Sequence, residues 1–152
     1  MEKKNYTTTI EVAKSPKDVF NCITAVSKWW TESVEGNSQK LNDVFTVRFG
    51  ETFVTHKIVE MIPAKKVVWL VTDCNLHWIN NKKEWKDTKM VFEISQKENS
   101  TQINFTHVGI VPGIECYNDC SKGWDSYIKE SLFKLISEGK GITFEDKQKS
   151  SK

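Results

Sequence analysis

Apolar and polar positions alternate along most of the first two-thirds of the chain. In the last third apolar residues instead recur every three to four positions. A period of two marks a strand with one buried face, and a period near 3.6 marks an amphipathic helix. Tyr6, Thr8, Ile10 and Val12 share one face of a first strand. Ser15-Pro16-Lys17-Asp18 then reads as a helix start. Ser15 can cap, Pro16 has no N–H to lose at the first helical position, and Asp18 suits the positive end of the helix dipole. This helix turns Val19, Phe20, Ile23 and Val26 inward, and a second short turn holds Trp29-Trp30. Neighbours on a helix point about 100° apart. One indole is therefore expected in the core and the other half-exposed near a cavity mouth.

Strand patterns fill 44–49, 53–62, 67–74, 89–96 and 101–108. Pro63-Ala64-Lys65-Lys66 and Lys97-Glu98-Asn99-Ser100 are short turns, so these strands pair as hairpins. Segment 67–74 is apolar on both faces, which leaves its register open. The polar stretch 75–87 carries Trp78 and Trp85, either as anchors of a long hairpin or as a gate over a cavity. After Pro112-Gly113 a long helix is predicted from about Glu115 to Glu138. Cys120, Trp124, Ile128, Leu132, Leu135 and Ile136 form its apolar stripe, and Gly139 ends it. Residues 145–152 lack apolar side chains and are expected to be a flexible tail.

Helices at the two ends of an antiparallel meander make an α+β domain, and the 152 residues suit a single domain. A sheet of this many strands twists and curls, so a helix laid in its concave side encloses either a filled core or a cavity. The six Trp, eight Phe and three Tyr exclude a disordered chain, and a net charge of only +2 argues against a nucleic-acid partner. No apolar run approaches the roughly 20 residues of a membrane span. Met1 to Tyr6 runs into the first strand without the apolar core of a secretory leader. A cytoplasmic location is expected, with the four Cys as reduced thiols.

Ser15-Pro16 with Val19-Phe20, then Trp29-Trp30, open a series of residues found in a known order. It continues through Val59, Ile62-Pro63, Val67-Val68-Trp69 and Thr106-His107-Val108-Gly109. It closes on Gly123-Trp124, Tyr127-Ile128 and Leu132. This series resembles the AHSA family, the activators of the heat-shock chaperone ATPase, within the START-like or SRPBCC superfamily. The resemblance spans roughly residues 5 to 142. It implies the helix-grip fold, a curved antiparallel sheet wrapped around the C-terminal helix. It also implies a cavity for a small apolar molecule, since superfamily members bind lipids, sterols or polyketides and some are cyclases. The family has no universal catalytic residues. The chaperone activator carries further regions that this one-domain chain does not show, which weakens a chaperone-partner reading.

Three functional classes follow: apolar-ligand binding, protein binding as a relative of the chaperone activator, and a cyclase or hydrolase. The predicted cavity walls are Phe45, Val47, Trp69, Phe92, Phe105, His107, Trp124 and Ile128. Trp124 reads first as a core anchor, with Gly123 allowing close packing on the sheet, and second as a cavity wall. His107 reads as a hydrogen-bonded structural residue or as a polar group orienting a ligand. An enzyme would need His107, Glu60 or Asp73 inside the cavity. His56, His77 and His107 form no metal-binding pattern, and Cys116 and Cys120 lack two further ligands, so neither metal nor cofactor is expected. A disulfide between those two Cys is not expected either. The oligomeric state is expected to be a monomer or a weak homodimer.

Overall fold

A computed structural model describes residues 5–77 and 79–150. Its strands are β1 (Tyr6–Val12), β2 (Val34–Gly36), β3 (Val44–Phe49), β4 (Thr52–Ile62), β5 (Lys66–Asn75), β6 (Lys89–Gln96) and β7 (Thr101–Val108). They form one curved antiparallel sheet in the order β1-β7-β6-β5-β4-β3-β2. Each strand from β2 to β7 pairs with its neighbour in sequence, as short connections require. β1 closes the far edge against β7, with Tyr6 opposite His107 and Val12 opposite Thr101.

Helix α1 (Pro16–Thr24) starts as its residues dictate, with the Ser15 side chain accepting from the Asp18 N–H. The long C-terminal helix runs through α2 (Tyr117–Trp124), a π-helical stretch (Asp125–Leu132) and α3 (Phe133–Glu138). All six predicted stripe residues are buried. Gly139 closes the helix in the left-handed conformation at φ 87°, and its N–H donates to the Leu135 carbonyl. The helix packs on β1 and, through α3, on α1. No described helix is long and apolar enough to cross a membrane.

One feature resolves what the sequence left open, and two depart from the sequence reading. The open register of 67–74 is settled by irregular pairing of β4 and β5 at Thr55/His56 and at Ile58/Glu60. These shifts bend the strands and turn Val67, Trp69 and Val71 into the core. Trp29 and Trp30 are both buried, at 0% and 2% exposure, because they sit on irregular chain after a 3-10 turn rather than on one helix. The expected tail forms α4 (Phe144–Ser150), with residues 151 and 152 outside the described ones. Thr143 and Asp146 form a reciprocal capping pair at its start. The Glu145 carboxylate accepts from the Glu32 N–H at 2.7 Å and the Thr31 hydroxyl at 2.8 Å.

The link to α4 is tight where it crosses the Trp29 segment. The Ser131 hydroxyl donates to the Trp29 carbonyl at 2.6 Å and accepts from the Ile142 N–H at 2.7 Å. A Cβ at Gly141 would lie 2.5 Å from the Lys28 carbonyl oxygen and 3.1 Å from the Trp29 Cα. Both are main-chain atoms that cannot swing aside. Gly141→Ala is expected to destabilise the protein by about 1–3 kcal/mol through overpacking. Urea denaturation checks this, and an unchanged midpoint would show that the crossing yields freely.

Candidate functional site

Seven of the eight predicted cavity walls lie in a filled core. Phe45, Val47, Trp69, Phe92, Phe105, His107 and Ile128 are each 0–1% exposed. The rings touch in sequence: Phe45 to Trp69 at 5.0 Å, Trp69 to Phe92 at 4.8 Å, Phe92 to Phe105 at 4.9 Å and Phe105 to Trp124 at 4.5 Å. These are ordinary aromatic packing distances, so the middle of the sheet–helix layer holds side chains rather than a void. Trp124 alone among the eight also faces open space.

His107 joins the core to that space. The Trp124 indole N–H donates to its Nδ1 at 3.0 Å, and its Nε2 lies 2.8 Å from the Thr88 hydroxyl. The Thr88 hydroxyl in turn donates to the Trp85 carbonyl. One assignment satisfies all four groups: a neutral imidazole with its proton on Nε2. Burial holds the His107 pKa well below the usual histidine value, and nearby His56 adds to the effect. His56, facing inward from β4, is fully buried and stacks on Phe45 at 4.6 Å. Neither of its nitrogens finds a partner among the described residues. Burial pushes its pKa down to about 3.

The open space is a pocket of about 380 Å³ at the α2 end of the layer. Trp30, Phe49, Trp85, Trp124, Tyr127 and Phe144 form its apolar wall. Thr52, His77 and Asp119 supply polar groups, and Cys120 and Gly123 complete it from α2. Trp30 packs 5.0 Å from Trp124 and 5.5 Å from Phe49, and Trp85 stacks on Trp124 at 6.0 Å. The wall is therefore a set of rings already braced against one another. Gly123 is not a close-packing glycine, because a Cβ there would meet no atom within 4 Å. It sits inside a helix, where glycine is disfavoured by about 1 kcal/mol relative to alanine. What its missing side chain leaves is pocket volume.

Hydrogen bonds hold the segments around the mouth in place. The Glu115 carboxylate accepts from the Asn80 and Asn81 N–H groups at 2.8 and 2.9 Å, which holds its carboxyl below the usual range. The Glu84 carboxylate accepts from the Glu115 and Cys116 N–H groups at 3.1 and 2.9 Å. Polar stretch 75–87 is thus tied to the start of α2. Trp85 is its buried anchor, whereas Trp78 lies outside the described residues. Cys116 and Cys120 form a disulfide, contrary to the expectation of free thiols. Their Cα atoms are 5.5 Å apart because Cys116 caps α2 one turn before Cys120, and that spacing suits the bond. The Trp85 N–H points at both sulfurs, at 3.3 Å each.

Glu60 and Asp73, the other candidate catalytic groups, lie away from the pocket. Glu60 pairs with Lys66 at 3.5 Å and Asp73 with Lys83 at 2.9 Å, both on the surface. Burial, then the Glu145 charge, raises the Tyr127 pKa above its usual value. No cluster of three or more potential metal ligands occurs among the described residues.

Several wall residues escaped the sequence reading. Phe144 stood next to a segment read as tail, although the Thr143-to-Asp146 capping spacing signalled a helix. Phe49 sits at the end of the 44–49 alternation, where the strand leaves the core. Tyr127 lies beside the apolar stripe, and the π-helical stretch brings it to the wall.

The family model described as Activator of Hsp90 ATPase homolog 1-like protein matches residues 13–137. No curated protein matches the chain. Among solved structures, the Aha1 dimer from Colwellia psychrerythraea is similar at a TM-score of 0.74 and 24% identity, covering 91% of this chain and 99% of that one. SSP2350 from Staphylococcus saprophyticus is similar at a TM-score of 0.70 and 13% identity, covering 93% and 99%. DynU16, from the dynemicin biosynthetic locus, is similar at a TM-score of 0.68 and 13% identity. It matches 89% of this chain, which spans only 48% of DynU16.

Proposed function

The chain belongs to the Activator of Hsp90 ATPase homolog 1-like family, and on that footing we propose that it binds a small, largely apolar molecule in the pocket beside α2. The observation that carries this reading is Gly123. A helix residue on a wall of six aromatic side chains has no side chain of its own, and the space beyond it is open. A volume of about 380 Å³ falls within the range of small-molecule sites. The wall is apolar with a few polar groups at one side, the usual composition of such sites. Trp124 serves the pocket with one face and the core with the other, so both readings of this residue hold together.

Gly123→Leu tests the proposal directly. Leucine replaces a poor helix former with a good one and meets no neighbour on entry. Stability is expected to hold or to rise by up to about 1 kcal/mol. Binding of apolar probes is expected to fall at least tenfold, because the side chain occupies the pocket. Intrinsic Trp fluorescence under probe titration reads the binding, since Trp30, Trp85 and Trp124 line the wall. Equal binding by Gly123→Leu and the parent protein would overturn the assignment of the pocket.

A further inference from the structure

The polar side of the pocket is formed by Thr52, His77 and Asp119. Among its lining residues, Asp119 carries a carboxylate, and there is no Lys or Arg. Asp119 is exposed and has no ion pair or hydrogen-bond partner among the described residues. His77 also lines the pocket, with its Nε2 2.8 Å from the Glu51 carboxylate, so its ring carries that acid with it. Thr52 accepts the His77 N–H at 3.0 Å. Lys82, on the loop between His77 and Trp85, turns inward to donate to the carbonyls of His77 and Ile79. The apolar wall adds three indoles, whose ring quadrupoles are negative at the face, and the Tyr127 phenol, over which the Lys147 ammonium lies 5.1 Å from the centroid.

A carboxylate ligand entering this site would meet the like charge of Asp119, and no Lys or Arg is among the lining residues. An ammonium would meet a carboxylate at the mouth and ring faces within, the arrangement that attracts organic cations. We infer that the pocket selects an amphiphilic organic cation, with an aromatic or alicyclic body among the rings and an amine group at Asp119. This rests on the pocket being a ligand site, and it narrows that reading to one charge class. The chain's net charge of +2 would by itself favour anions, so the preference is a property of the pocket alone.

Three probes of one shape separate the two claims: naphthylethylamine, naphthylethanol and naphthylacetate, titrated by calorimetry at low salt. The amine is expected to bind about three- to tenfold more tightly than the alcohol, as for a partly solvated charge contact with added cation–π attraction. The acetate is expected to bind most weakly. Asp119→Asn, at an exposed and unpaired position, is expected to fold normally and to lose most of the amine's advantage over the alcohol. Added salt is expected to shrink that advantage in the parent protein only. If the alcohol binds and the amine is no tighter, the charge selection is wrong while the pocket stands. An unchanged amine preference in Asp119→Asn would likewise overturn the role of that carboxylate. If none of the three binds, the ligand site and its charge class fall together.

Discussion

Trp124→Ala is expected to destabilise the fold by about 3–5 kcal/mol, the range for removing a buried aromatic ring. The ring is 2% exposed and packs against Phe105, Trp30, Trp85 and His107. Its loss also leaves His107 Nδ1 without its donor in a fully buried position. Trp124→Phe helps to separate the two effects, because it keeps most of the volume and removes the N–H. The phenylalanine variant is expected to lose about 1–3 kcal/mol, the penalty for an unmet buried acceptor. Urea denaturation at constant slope measures both. A loss below about 1 kcal/mol for alanine would mean that the ring only borders the pocket and does not hold the core. Gly123→Leu is the counterpart, since it is expected to reduce the proposed binding while leaving the core untouched.

Acidification from pH 7.5 to 5 is expected to remove about 2 kcal/mol of stability through His56, and His107 adds to the loss. In the unfolded chain each titrates near pH 6.5. In the fold His56 is pushed down to about 3 and His107 well below its usual value, both by burial. Both therefore stay neutral in the fold while the unfolded chain takes up protons below about pH 6.5. Their contribution is complete above that pH and declines as pH falls, by about 1.4 kcal/mol per unit for each residue. For His107 the structural reason is visible. A proton on Nδ1 would face the Trp124 N–H that now donates to it. Carboxylates such as Glu115 titrate lower, so the interval from pH 6.5 to 5 isolates the histidines.

His56→Leu is expected to reduce the slope in that interval. At neutral pH it is expected to be neutral or stabilising, because it removes two buried nitrogens that have no partner among the described residues. An unchanged pH dependence would show that His56 is protonated in the fold or reached by water.

Some of this was legible in the residues and some was not, along a clear physical line. Alternation at β1, β6 and β7 placed Ile10, Phe92 and Phe105 inward, and the structure buries all three. The stripe from Cys120 to Ile136 foretold the gripping helix, and Gly139 its end. The same alternation on β4, through Val54, His56 and Ile58, also turns His56 inward, although that histidine drew no notice as a core residue. These are local properties, because side-chain direction follows from the backbone repeat of one segment.

The pocket is not a local property. It is the volume left after Trp69, Phe92 and Phe105 have filled the centre, so it depends on the summed sizes of side chains from distant segments. Of the eight residues foreseen as walls, seven are packed in the core and Trp124 also lines the pocket. Trp30, Phe49, Trp85, Tyr127 and Phe144 meet only once β4 and β5 have settled their irregular register and α4 has folded back onto Thr31 and Glu32. Gly123 carries the same lesson in one residue. Its place in a helix was readable from spacing, but whether its bare face met a neighbour or empty space was decided only by what packed opposite. Periodicity dictates which way a side chain points, and tertiary packing alone dictates where the packed side chains run out.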